Sequence, residues 1–144
     1  MFSPSQDDVR RFFCNAWRKR QNHEPLEALE TLAAGWAALH PEWHADLADA
    51  DAAVLRIYPD GAPGANPFLH LSMHLSISEQ CSIDQPPGIR QAVELLAARL
   101  GDLHAAHHEV MEYLGQMLAD AQARGGMPDG DAYVARVQRR ATRR

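Results

Sequence analysis

Apolar residues recur along most of this chain at intervals of three and four, the spacing of one face of an α-helix. Ser5 and Asp8 read as an approximate capping box before the first such run, VRRFFCNAWRKR. Pro25 opens a second helix, LEALETLAAGWAAL, in which Leu26, Leu29, Leu32, Ala33 and Trp36 form the apolar face. Pro41 opens a short third, EWHADLAD. The stretch 58–65, YPDGAPGA, is turn chemistry and predicts a surface loop. Asn66 and Pro67 then read as N-cap and first residue of a fourth helix. SIDQPPG is a break, and Pro87 begins a fifth helix that runs to Leu100. Gly101 stops it and Asp102 caps a sixth, which ends at Arg124 before Gly125, Gly126 and Pro128. DAYVARVQRR closes the chain as a short helix.

One segment carries two signals. LHLSMHLSIS, residues 69–78, alternates apolar and polar positions as a strand does. Wound as a helix, however, it gathers Ser72, Ser76, Glu79 and Gln80 on one narrow polar face and leaves Leu71, Met73, Leu75, Ile77 and Cys81 on the rest. With the Asn-Pro start, helix is the reading adopted. The fold class expected is all-α: a compact bundle of about six helices, with 1–144 a single domain and 136–144 a basic, frayed tail. No internal repeat, low-complexity tract or long linker interrupts it.

Composition agrees with a globular chain: 46% of the 144 residues are hydrophobic and 23% charged. MFSPSQDDVRRFF lacks the apolar core of an export signal, which predicts a cytoplasmic protein. No apolar run reaches the roughly 18 residues a membrane span needs. Cys14 and Cys81 are far apart, without metal or redox spacing, and read as reduced core thiols.

The formal net charge of -5 conceals an asymmetry. Arg10, Arg11, Arg18, Lys19 and Arg20 crowd one end, and Arg136, Arg139, Arg140, Arg143 and Arg144 the other. Such ends either attract nucleic acid or an acidic partner, or are solvated helix ends and nothing more.

Eight histidines change the picture more than the charge does. Six form pairs four apart: His40 and His44, His70 and His74, His104 and His108. On a helix, residues i and i+4 share a face, so two imidazoles can reach one metal ion. His70 and His74 fall in the apolar arc of the fourth helix rather than on its serine face. In the sixth helix, His104, His108 and Glu112 form a stripe along the edge of the face built by Leu103, Val110, Met111, Leu114 and Leu118. The expected site therefore joins His70, His74, His104, His108 and Glu112 across the fourth and sixth helices. His107 is a spare ligand or supporting group, and Cys81 a lesser candidate. His40 and His44 are lesser still, assigned to a helix start and to packing. Imidazole-rich ligation suits a divalent transition metal such as zinc, iron or nickel, not calcium or magnesium. Hydrogen-bonded core histidines without metal are the structural alternative. The repeated Glu-x-x-His of di-iron bundles, HExxH, GxSxG and the phosphate-binding glycine loops are absent.

NPFLHLSMHLSISEQCSIDQPPGI, residues 66–89, resembles the bacterial domain-of-unknown-function family numbered 1841. So do VRRFFCNAWRK near the start, HPEWH at 40–44 and LGDLHAAHHEVMEYLG at 100–115. The resemblance covers nearly the whole chain. It implies a compact bacterial cytosolic protein and no particular activity, and it carries no role over to the histidines. Two functions follow from the residues themselves. One is a metal-binding helical protein. The other is an interaction or nucleic-acid-binding module that uses the arginines at 136–144 and keeps its histidines for structure. Whether the chain is an enzyme or self-associates stays open at this level.

Overall fold

A computed structural model describes residues 5–58 and 66–143. They hold eight α-helices: α1 (Gln6–Gln21), α2 (Ala28–Ala38), α3 (His44–Leu47), α4 (Ala50–Leu55), α5 (Pro67–Ile83), α6 (Ile89–Leu100), α7 (Leu103–Arg124) and α8 (Gly130–Thr142). A 3-10 turn, Pro41–Trp43, precedes α3. Among the described residues there is no strand, so the alternating segment 69–78 is helical throughout.

The expected count of about six helices is corrected by the region after Pro41. There the proline begins only a 3-10 turn, and the short α3 stops at Leu47. Asp49 starts a further helix because its carboxylate accepts from the Asp51 and Ala52 N–H groups at 3.1 and 3.3 Å. Of the predicted loop at 58–65, residues 59–65 lie outside the described residues.

Other helix starts follow hydrogen bonding more than proline. Helix α2 begins at Ala28, not Pro25, where the Glu30 carboxylate reaches back to the Glu27 N–H at 2.9 Å. In α5 the Asn66 side chain accepts from Phe68 and Leu69 N–H at 3.0 and 3.2 Å, as an Asn-Pro start predicts. Helix α6 begins at Ile89, two residues after Pro87. Asp84 fixes that start by accepting from the Gly88 and Arg90 N–H groups at 3.2 and 3.0 Å. These two donors hold its carboxyl below the usual carboxylate range. Gly101 and Gly125 close α6 and α7 at φ of 73° and 66°, a region where a side chain would be strained. Helix α8 continues to Thr142, so the expected frayed tail is helical over most of its length; Arg144 is outside the described residues.

The chain divides into two compact units, 1–75 and 76–144, with the boundary inside α5. In the first, α1 packs against α2, α3 and α4 around Phe13, Trp17, Ala33, Trp36, Leu47, Phe68 and Leu71. Arg10 is buried there. It donates to the Ala53 and Arg56 carbonyls at 2.8 and 2.7 Å, and its guanidinium lies over the Tyr58 and Phe68 rings at 5.2 and 5.5 Å. The buried face of α2 is alanine and tryptophan; Leu29 and Leu32, expected in its core face, are exposed.

In the second unit α6, α7 and α8 pack on one another through Ile89, Val93, Leu96, Val110, Leu114, Tyr133 and Val137. The Tyr133 hydroxyl donates to Gln80 at 2.7 Å, and burial raises its pKa. Helix α7 buries Ala106, His107, Val110, Met111, Leu114 and Ala121, while Leu103 and Leu118 are about half exposed at 49% and 50%. Its apolar face is thus rotated from the expected one toward small residues, which allow closer helix approach. No described helix is long and apolar enough to cross a membrane.

Candidate histidine centre

In the first unit, three histidines and two tryptophans form a layer of rings. His40 follows Leu39, the C-cap of α2, and precedes Pro41. Its Nδ1 lies 2.8 Å from the Trp36 carbonyl, one turn back along the chain. A carbonyl only accepts, so Nδ1 carries the proton of this hydrogen bond. The His40 ring stacks on Trp43 with centroids 4.7 Å apart and planes 8° from parallel. From α5, His74 is fully buried and stacks on Trp36 at 4.1 Å and 11°. His70 stands one turn before it, with the two Nε2 atoms 3.1 Å apart. One of them donates and the other accepts when no ion intervenes. The His40 ring lies 5.0 Å from His70 and 4.9 Å from His74, so the three imidazoles form a mutual cluster.

His44 is used differently. Its Nε2 donates to the Ala37 carbonyl at 2.9 Å and its ring stacks on Trp17 at 4.2 Å. It packs α3 against α1 and α2. The HPEWH stretch therefore sends its two histidines to different neighbours: His40 to the ring cluster, His44 to Trp17.

In the second unit, α7 presents His104 and His108 with ring centroids 4.4 Å apart. His104 is half-buried and His108 exposed. The Asp102 cap fixes the start of this turn through the His104 and Ala105 N–H groups. Glu112 follows one turn later, exposed. His107, between His104 and His108 in sequence, is buried. Burial, and secondly the nearby charges of His104 and His108, push its pKa from 6.5 down to about 4. It is therefore neutral at physiological pH.

The first unit thus brings the rings of His40, His70 and His74 together, a histidine cluster compatible with metal binding, and the second lines up His104, His108 and Glu112 along α7. His44, His107 and Cys81 lie outside both sets. The Cys81 thiol is pushed up to about 11, mainly by burial and then by Glu94, so it is protonated at neutral pH. Cys14 is held at about 11 for the same leading reason. The signal that could have raised His40 is its spacing from Trp36, i and i+4, which supplies the carbonyl and the ring layer around it.

The basic ends differ from each other. Near the start, Arg10 is buried on carbonyls, Arg11 pairs with Asp51 at 3.0 Å, Arg18 with Glu24 at 3.0 Å and Lys19 with Glu30 at 2.9 Å. On α8 only Arg140 has a carboxylate partner among the described residues, Glu109 at 2.8 Å.

Comparison with known proteins fits a helical chain of undefined activity. The family model described as "Domain of unknown function (DUF1841)" matches residues 5–139. The chain belongs to that family. No curated protein and no solved structure matches it.

Proposed function

We propose that this protein binds one divalent transition metal ion, zinc, iron or nickel, through histidines, with His40, His70 and His74 of the first unit as the ligand set. The observation that carries this reading is the 3.1 Å between Nε2 of His70 and Nε2 of His74, with the His40 ring 5.0 and 4.9 Å from their rings. In a tetrahedral zinc site with bonds of about 2.0 Å, neighbouring nitrogens are about 3.3 Å apart, so the His70 and His74 pair already has ligand-like spacing. Support comes from the second layer: the His40 Nδ1–H bond to the Trp36 carbonyl orients that ring. Three protein nitrogens would leave a position on a tetrahedral ion, and more on an octahedral one, for an outside ligand.

The second reading is a metal-free histidine–tryptophan core. It is favoured by the stacking of His40, His44 and His74 on Trp43, Trp17 and Trp36. Elemental analysis of tag-free protein, with calorimetric titration of zinc, separates the two. The metal reading expects one ion per chain. It also expects a loss of affinity of about 100-fold or more in His70→Ala, whose half-buried ring can be removed with less cost to the core than that of His74. Absence of metal after purification together with no zinc binding at micromolar levels, or binding that ignores both His70→Ala and His40→Ala, would establish the second reading.

A further inference from the structure

Helix α8 buries Tyr133, Val134, Val137 and Ala141 and turns Arg136, Arg139 and Arg140 to another side, at helical positions i, i+3 and i+4, with Arg143 following as its C-cap. Together with Glu112, Tyr113 and Gln116 of α7 they line an open groove of about 450 Å³. Arg140 is pinned to Glu109. Arg136, Arg139 and Arg143 have no ion pair among the described residues and face a single carboxylate, Glu112. Arginines one turn apart repel, so the stripe strains its own helix. Favourable interaction with the helix C-terminal dipole accounts for Arg139 and Arg140 but not for Arg136, one turn earlier. The body around the groove is acidic, with a net charge of -5.

We propose that this groove is a binding site for a small phosphorylated molecule. Guanidinium forks match phosphate oxygens two at a time, and Tyr113 adds a hydroxyl donor at the wall. The size fits: seven residues of helix span about 10 Å, the reach of a diphosphate with its attached group rather than of a nucleic acid strand. Trp17 and Trp36 are buried and Trp43 is half-buried, so the tryptophans offer no base-stacking platform. Glu112 belongs both to this groove and to the stripe of His104 and His108, but anion binding rests on the arginines and does not depend on the proposed metal site.

Inorganic pyrophosphate titrated into the full-length, EDTA-treated protein tests the inference, followed by NMR of the arginine Nε–H groups and the α7 and α8 amides. Metal-free conditions separate its outcome from that of the metal reading. At about 50 mM salt, saturable shifts are expected at Arg136, Arg139 and Arg143, with affinity falling as salt rises. Arg136→Gln with Arg139→Gln should weaken binding about ten-fold or more, and Arg143→Glu, at the exposed end of the helix, should do the same. Arg20→Gln, an exposed arginine of α1, should leave it unchanged. No saturable shift by about 10 mM pyrophosphate overturns the proposal, as does equal loss in Arg20→Gln. A single-stranded twelve-mer that binds about ten-fold tighter than pyrophosphate through the same arginines would instead make the groove a nucleic-acid contact.

Discussion

His107 provides a measurable link between burial and pH. Folding carries this imidazole from an ordinary pKa of 6.5 to about 4, first by desolvation and then by the charges of His104 and His108. The folded pKa is the lower one, so between these values the unfolded chain binds the proton and the folded chain does not. Stability contributed by this residue is therefore intact above pH 6.5 and falls as acid is added. The loss is complete below about pH 4, where it reaches about 3 kcal/mol. A chain of this size has about 10 kcal/mol of stability in all, so the effect is large. By pH 4.5 most of it, about 2 to 3 kcal/mol, should be gone. Urea unfolding followed by circular dichroism in EDTA, at pH 7 and pH 4.5, measures it in wild type and in His107→Leu. Leucine cannot titrate, so the acid-induced loss should shrink in the variant by that amount, about 1 M or more in urea midpoint. Comparing losses rather than absolute stabilities removes the packing cost of the substitution. Equal losses in the two proteins would refute the reasoning.

Two further substitutions probe the units separately. Arg10→Met keeps the apolar stem but strips the Ala53 and Arg56 carbonyls of their donors. It should cost about 3 kcal/mol, read as a melting point about 10 °C lower, whereas Arg11→Met, which breaks only the exposed pair with Asp51, should cost under about 1 kcal/mol; similar losses would contradict the assignment. Two glycines should respond with opposite signs. A Cβ at Gly130 would meet the Pro86 ring at 2.8 Å, so Gly130→Ala should destabilise by about 1–3 kcal/mol; a Cβ at Gly35, within α2, meets nothing within 4 Å, so Gly35→Ala should stabilise by about 1 kcal/mol, and the reverse order in thermal unfolding would sink the packing account.

The helical nature of the chain is legible in its sequence, because caps and periodicity act over a few residues. Ser5 with Asp8, Asn66, Asp102 and the glycines 101 and 125 all sit at the helix ends where their chemistry places them. Prolines mark ends less well: Pro25 and Pro87 lie outside the helices they seemed to open, since Glu30 and Asp84 set the first turns through hydrogen bonds that proline spacing does not encode. The division after Pro41 was hidden for the same reason, with Asp49 capping a helix too short to show a period.

Pairs of histidines four apart are local and were visible; their company was not. His40 looked like a helix start, and only packing brings its ring within 5.0 Å of His70 and onto Trp43. His44 has the same spacing partner and a separate fate against Trp17. Likewise, charge counting found arginines at both ends, but carboxylates distant in sequence neutralise several of those near the start, while Arg136, Arg139 and Arg143 have no ion-pair partner among the described residues and line a groove. Sequence alone determined the helices and the supply of imidazole and guanidinium groups. Tertiary structure decided which of them are buried, paired or left facing one another, because burial and ion pairing depend on contacts between residues far apart in the chain.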